Sequence, residues 1–98
     1  MADNDEQILE SARAAAQELD IRYKAANLDG KVRLKASRDK LFSAYATCRI
    51  ELLEDGVIAT DEDVRQMKEL RAEIDQAATN QLLAEAAVKA AKFLVKFI

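Results

Sequence analysis

The chain has almost nothing that would interrupt a helix, because its 98 residues include no proline and only two glycines. These two residue types are the least favourable in a helix interior. Alanine, which has the highest helix propensity, occurs 19 times, whereas leucine, isoleucine, valine and phenylalanine together occur 25 times. The sequence therefore predicts an all-α protein whose core is built largely from small side chains.

The two glycines, Gly30 and Gly56, are the predicted boundaries between helices. Each follows an aspartate, and glycine often closes a helix because it adopts left-handed backbone angles easily. Apolar residues recur at steps of three and four between these boundaries, which is the spacing of one helical face. The pattern predicts three helices, at about residues 4–28, 31–54 and 61–98.

The predicted third helix is the longest. Thr60 can cap its first turn, and the spacing from Thr60 to Asp63 resembles a capping box. A heptad repeat then continues to Ile98, so the helix would be on the order of 55 Å long. Because short connections favour antiparallel neighbours, we expect a single domain over residues 1–98. It would be an up-down-up array or helical bundle of three helices, or a long hairpin that dimerisation completes.

Charge is distributed unevenly along the chain, although the net charge is only −3. Residues 31–49 carry six bases and one acid, whereas residues 50–63 carry six acids and no base. A weakly acidic protein lacks the basic surface that is typical of nucleic-acid binders. Apolar runs do not exceed three residues, whereas a membrane-spanning helix needs about 20. With a single cysteine that cannot form an internal disulfide, the sequence favours a cytoplasmic protein.

The sequence contains no recognisable catalytic machinery, and we expect no catalytic residues and no cofactor. It has no histidine, so a Ser-His-Asp or Cys-His arrangement cannot form, and it has no phosphate-binding glycine loop. Cys48 falls on the apolar seam of the second helix, where a thiol packs as a small hydrophobic side chain. These features predict a protein that is not an enzyme.

Acidic side chains on both sides of Gly56 raise the alternative of a metal site. Two clusters could converge on a hard cation such as Ca²⁺ or Mg²⁺: Glu51, Glu54 and Asp55, and Asp61, Glu62 and Asp63. Their spacing does not match an EF-hand loop. Helix capping and pairing with basic residues explain the same acids without a cation, so we expect no metal site.

The C-terminal stretch departs most from a plain surface helix. From residue 86 onward every side chain is apolar except three lysines at steps of three and four. The apolar arc is broader than one neighbouring helix would cover, so it is the predicted interaction surface. Its members are Val88, Ala91, Phe93, Leu94, Val95, Phe97 and Ile98. The same arc could instead be the core of the chain's own bundle.

The leading functional hypothesis is a non-enzymatic helical module for protein–protein interaction. It would act as an adaptor, assembly factor or small inhibitor, and its apolar C-terminal face would bind a protein partner or a second copy in a homo-oligomer. A peripheral membrane-surface binder is the alternative, with Lys89, Lys92 and Lys96 beside the apolar arc. A nucleic-acid binder is the third hypothesis, through the basic stretch at residues 31–40.

Overall fold

The computed structural model describes residues 3–54 and 58–98, which form four α-helices. They are α1 (Asn4–Ala25), α2 (Leu28–Glu54), α3 (Asp61–Gln76) and α4 (Asn80–Val95). The all-α prediction is confirmed, but the predicted count of three helices is wrong. So is the prediction that the third helix is the longest, because α2 is the longest with 27 residues. The predicted boundary at Gly56 lies outside the described residues.

The predicted helix 61–98 is interrupted by residues 77–79, which separate α3 from α4. Thr79 caps α4, since its hydroxyl accepts a hydrogen bond from the Leu82 backbone N–H at 3.1 Å. The guanidinium of Arg22, on α1, donates to the carbonyl oxygens of Ile74, at 3.0 Å, and Ala77. Ile74 lies in the last turn of α3 and Ala77 is its C-cap, where carbonyl oxygens lack the regular helical donor; the Ile74 oxygen also accepts from the Ala77 N–H at 3.4 Å. Thus a local cap and a distant side chain together stabilise the break.

The predicted boundary at Gly30 is also wrong. The break falls at residues 26–27, and Gly30 lies in the first turn of α2, where its N–H donates to the Asn27 side chain at 2.9 Å. Gly30 is buried, and a Cβ at this position would lie 2.7 Å from Nδ2 of Asn80 and 2.8 Å from Cβ of Ala26. The glycine therefore allows the start of α2 to approach the start of α4 closely.

The four helices form two hairpins, α1 with α2 and α3 with α4, packed side by side in the same orientation. Ion pairs join the antiparallel neighbours, Asp20 with Arg38 and Asp63 with Lys96. Around the bundle axis the order is α1, α2, α4, α3, because α1 packs on α3 and α2 packs on α4. The expected up-down-up array is therefore replaced by an arrangement in which α1 runs parallel to α3, and α2 to α4.

Alanine side chains fill much of the core, as the composition predicts. The buried residues of α1 and α4 are mainly small, and these two helices also touch across the bundle. Small side chains allow close approach of helix axes. The buried apolar residues of this pair are Ile8, Ala12, Ala15, Ala16 and Leu19 on α1, and Leu83, Ala86, Ala87, Ala90, Ala91 and Leu94 on α4. The molecule measures 41 × 21 × 20 Å.

Asp5 attaches the connection before α3 to the start of α1. Its carboxylate is buried and accepts hydrogen bonds from the backbone N–H groups of Ala59, at 2.8 Å, and Ile58, at 3.1 Å. Immediately afterwards the predicted capping box is confirmed: the Thr60 hydroxyl accepts from Asp63 N–H, and the Asp63 carboxylate accepts from Thr60 N–H. No helix in the described part of the chain is long and apolar enough to cross a membrane.

Candidate functional site

The structure divides the seven predicted interaction residues between the core and the surface of α4 and its C-terminal turn. Leu94, Ala91 and Phe97 are buried within the chain itself. Val95 and Ile98 are more than half exposed, at 57% and 53%. Val88 and Phe93 are partly buried. The broad apolar arc of the sequence therefore serves two purposes, because one side covers the core and the other faces outward.

Lys96 explains how the C-terminal turn is fixed to the bundle. Its ammonium forms an ion pair with the buried carboxylate of Asp63. The same ammonium lies 5.4 Å and 5.5 Å from the ring centroids of Phe93 and Phe97, within cation–π distance. The two rings pack edge to face at 5.6 Å. The sequence placed Lys96 with Lys89 and Lys92 beside the apolar arc, whereas the structure pairs Lys96 with Asp63 on α3.

A groove between α2 and α4 contains the outward-facing part of the predicted set. Its volume is about 560 Å³. The apolar lining consists of Ala44 from α2, and Val88, Ala91, Val95 and Ile98 from α4 and the residues after it. Ser43 and Thr47 line the α2 side, together with Asp39 and Lys40. Four of the seven predicted residues thus line one surface groove.

The groove continues towards the start of α4. A second depression of about 440 Å³ shares Val88 and Lys92 with the first and extends to Ser37 and Gln81. From Gln81 to Ile98 the two depressions follow about 26 Å of helix axis at 1.5 Å per residue. We call the two together the α2–α4 groove. Its length matches a helix of four to five turns.

Two lysines make the rim of the α2–α4 groove positive near Val95, whereas Glu85 lies on the rim at the other end. Lys40 on α2 and Lys92 on α4 are both exposed, and neither forms an ion pair among the residues that the structure describes. Lys89 lies 3.7 Å from Glu73, so its charge is partly balanced. Asp39 also lies on the rim, but it is paired with Lys35 at 3.2 Å.

The basic stretch 31–40 is partly engaged within the protein. Arg38 lies between α1 and α2, where its Nε donates to Asp20 at 2.8 Å and its guanidinium carbon stands 5.0 Å from the ring centroids of Tyr23 and Phe42. Hydrogen bonds from Lys24 and Arg38 lower the pKa of Asp20 below its ordinary value. Arg38 lies at a position of α2 where the three- and four-residue spacing predicts a buried apolar residue. Its guanidinium is accommodated there because it packs on the two aromatic rings.

Three of the acidic residues around the second turn, all at the start of α3, have partners within the protein. Asp61 accepts from the Asn4 side chain at 3.0 Å, and Glu62 pairs with Arg65. Asp63 is the capping residue that also binds Lys96. Asp55 lies outside the described residues. Within residues 3–54 and 58–98, these acids included, no group of three histidine, cysteine or acidic side chains is arranged to hold a metal ion.

Cys48 is fully buried, which confirms its predicted place in the core. Burial, together with the nearby negative charge of Asp5, raises the pKa of its thiol to about 11. The thiolate is the reactive form of cysteine, and both burial and the raised pKa disfavour it at neutral pH. The side chain packs as a small hydrophobe.

Sequence reasoning missed the α2 wall of the groove. Ser43, Thr47 and Lys40 have no pattern that distinguishes them from ordinary surface residues, because periodicity shows which face of a helix is buried and not which helix lies beside it. It also missed the role of Asp5, whose carboxylate accepts from the Ala59 N–H. No signal in the sequence connects Asp5 with Ala59.

Comparison with known proteins adds no relative to these observations. No protein-family model, no curated protein and no solved structure matches the chain. The groove and the charges around it therefore carry the functional argument.

Proposed function

We propose that the protein is a non-enzymatic helical interaction module that binds an amphipathic helix of a partner protein in the α2–α4 groove. The observation that carries this proposal is the groove itself, with its apolar lining and lysines on the rim. Helix-in-groove binding buries the apolar face of the incoming helix and reads residues at helical spacing. An adaptor, an assembly factor or a small inhibitor would all act in this way.

The exposure of Val95 and Ile98 supports a bound partner. Both side chains would be largely removed from water by a helix in the groove, and burial of apolar surface is worth about 25 cal/mol per Å². The neighbouring Ala44 and Ala91 are small, so they leave room for the side chains of the incoming helix. The groove thus offers exposed apolar side chains for a bound helix to bury, and enough space between them for the side chains of that helix.

Charge favours a partner helix with acidic flanks. Lys40 and Lys92 stand on the α2 and α4 sides of the groove respectively, so carboxylates on both flanks of the bound helix would meet an unpaired ammonium. Complementary charge at an interface rim contributes to partner choice and association rate. A membrane surface is the less favoured alternative, because Lys96 pairs with Asp63 and Lys89 with Glu73.

Two designed peptides test the proposal. Each is an amphipathic helix of about 18 residues, matching the groove length, with the same apolar stripe but either glutamate or lysine on its flanks. Titration into the ¹⁵N-labelled protein should shift the amide signals of residues lining the groove. We expect the glutamate peptide to bind at least about tenfold more tightly than the lysine peptide. Reversing both rim charges, Lys40→Glu with Lys92→Glu, should reverse this preference.

Substitutions on α4 and the residues after it test whether peptide binding depends on the groove itself or on any exposed apolar residue nearby. Val95→Asp and Ile98→Asp should abolish peptide binding. Leu82→Asp is the matched control, because Leu82 is 50% exposed on α4 and lines a different depression, beside Glu73 and Gln76. Equal weakening by all three variants would overturn the proposal. So would an absence of shifts with both peptides, or co-sedimentation with phosphatidylglycerol vesicles that Val95→Asp prevents.

A further inference from the structure

The outward face of α2 carries a stripe of apolar and small residues along the whole helix, with one carboxylate, Asp39, near its middle. Its members recur at steps of three and four, which places them in one sector of the helix, opposite the buried Leu34 and Leu41. We call this set the α2 stripe. It consists of Leu28, Val32, Ala36, Asp39, Ser43, Ala46, Ile50 and Leu53, all exposed.

Large apolar side chains stand at both ends of the stripe. Leu28 and Val32 are 78% and 70% exposed, and Ile50 and Leu53 are 56% and 63% exposed. Single exposed apolar residues are ordinary, but a row of them along one helix marks an interaction surface. The middle of the stripe is small or polar, so a second helix could approach closely there.

The α2 stripe is complementary to a second copy of itself that runs in the opposite direction. In an antiparallel heptad register, Val32 lies opposite Ile50 of the second copy, so large apolar residues meet. Ala36 then lies opposite Ala46, and small residues meet. Asp39 lies opposite Ser43, so a carboxylate meets a hydroxyl that can donate to it. Size and polarity therefore match at each of these layers.

Charge complementarity selects the same orientation. Five of the six basic residues of α2 lie in its first half, with Arg49 as the exception, and the acids Glu51 and Glu54 lie in its last turn. An antiparallel pair places the basic half of one copy beside the acidic end of the other, whereas a parallel pair would place like charges together. In the register above, Arg33 faces Glu54 of the second copy on the flank of the stripe. Neither side chain has an ion pair in the described part of the chain.

We infer that the protein forms an antiparallel homodimer in which α2 packs on α2 of a second copy through the α2 stripe. This interface goes beyond the partner-binding groove. The two surfaces meet at Asp39 and Ser43, but the apolar ends of the stripe lie apart from the groove. Variants at those ends therefore test the dimer without altering the groove lining.

Charge reversal is the first test, with sedimentation equilibrium as the measurement. The native chain should sediment at about twice 10.9 kDa. Arg33→Glu and Glu54→Arg should each raise the dimer dissociation constant at least about tenfold, because each places like charges in contact twice per dimer. Both substitutions in one chain should restore the native value. Failure of the combined variant to recover while both single variants weaken would overturn the proposed register.

Apolar variants provide the second test. Val32→Asp together with Ile50→Asp should give a monomer with unchanged helical circular dichroism, since both residues are exposed. Ile21→Asp is the matched control, because Ile21 is 62% exposed on α1, outside the stripe, and its substitution should leave the dimer intact. A monomeric native chain at every concentration, or a dimer that the stripe variants leave intact, would overturn the inference.

Cysteine cross-linking tests the orientation, in a Cys48→Ala background. Ala36→Cys with Ala46→Cys in the same chain should form a disulfide-linked dimer under mild oxidation, while Ala36→Cys alone should not. The two positions are about 15 Å apart within one helix, so they cannot bond within a chain. Efficient cross-linking by Ala36→Cys alone would show a parallel pair and would contradict the inference.

Discussion

The pair formed by Asp63 and Lys96 connects the first turn of α3 with the residues that follow α4. Burial opposes ionisation of Asp63, but hydrogen bonds from Lys96 and Thr60 outweigh it and hold the pKa of Asp63 below its ordinary value of 3.8. A carboxyl whose pKa is lower in the folded state stabilises the fold above its unfolded pKa. That contribution is lost as the pH falls through the folded pKa.

Asp63→Asn should therefore destabilise the protein in a pH-dependent way. At pH 7 the loss should be about 1–3 kcal/mol, the range for removing a charged hydrogen-bond partner from a buried site. Below about pH 4 the difference should shrink, because the unfolded chain binds a proton at Asp63 before the folded chain does, and the remainder is lost as the pH falls through the lower folded pKa. Urea unfolding at pH 7 and pH 3 measures both values. Asp75→Asn, at an exposed aspartate 3.8 Å from Arg71, should show a much smaller effect, and an undiminished loss at pH 3 would contradict the argument.

Gly30 shows how a single missing side chain can set the distance between two helices. In an exposed helix interior, replacing glycine with alanine stabilises by about 1 kcal/mol. At Gly30 the added methyl would meet Asn80 and Ala26 at under 3 Å, and overpacking of this kind costs about 1–3 kcal/mol. Crowding should therefore make Gly30→Ala destabilising, although the same change usually stabilises a helix.

We expect Gly30→Ala to lower the melting temperature. Asn80→Ala removes one of the two close contacts, so combining it with Gly30→Ala should recover part of the loss relative to Asn80→Ala alone. Thermal unfolding by circular dichroism measures each variant. A higher melting temperature for Gly30→Ala would mean that the start of α2 can move away from α4 without cost.

The helices differ from their prediction chiefly where α3 ends and α4 begins. A heptad repeat keeps apolar residues on one face whether the helix continues or turns back, so periodicity alone cannot reveal the break. The signal present in the sequence is Thr79, a favourable N-cap that the heptad pattern obscures. The second stabilising group, Arg22, lies 55 residues from Ala77 in sequence.

The change in stability caused by Thr79→Ala distinguishes a continuous helix over residues 61–98 from a break between α3 and α4. In a continuous helix, alanine would stabilise relative to threonine because of its higher helix propensity. At an N-cap the same change costs about 1 kcal/mol, because the Leu82 N–H loses its acceptor. We expect Thr79→Ala to lower the free energy of unfolding, measured in urea. Thr47→Ala, within the exposed part of α2, is the control and should be neutral or stabilising.

The bundle as a whole consists of two hairpins that lie side by side, and this arrangement creates the surfaces available for binding. Because α2 packs beside α4, a groove forms between them while the opposite face of α2 remains uncovered. The long third helix expected from the sequence would have projected from a three-helix array. Folding it into α3 and α4 instead places Leu94 and Phe97 in the core and leaves Val95 and Ile98 at the groove.

The sequence by itself determined the helical class, the capping box at Thr60 and the burial of Cys48, because propensity, capping and periodicity act over a few neighbouring residues. Only the tertiary structure decided where the last helix breaks, why Gly30 is a glycine, and which apolar residues of α4 remain exposed. These features depend on contacts between residues far apart in sequence, such as Asp5 with Ala59 and Arg22 with Ala77. Packing of one hairpin on the other creates those contacts, and no local pattern encodes it.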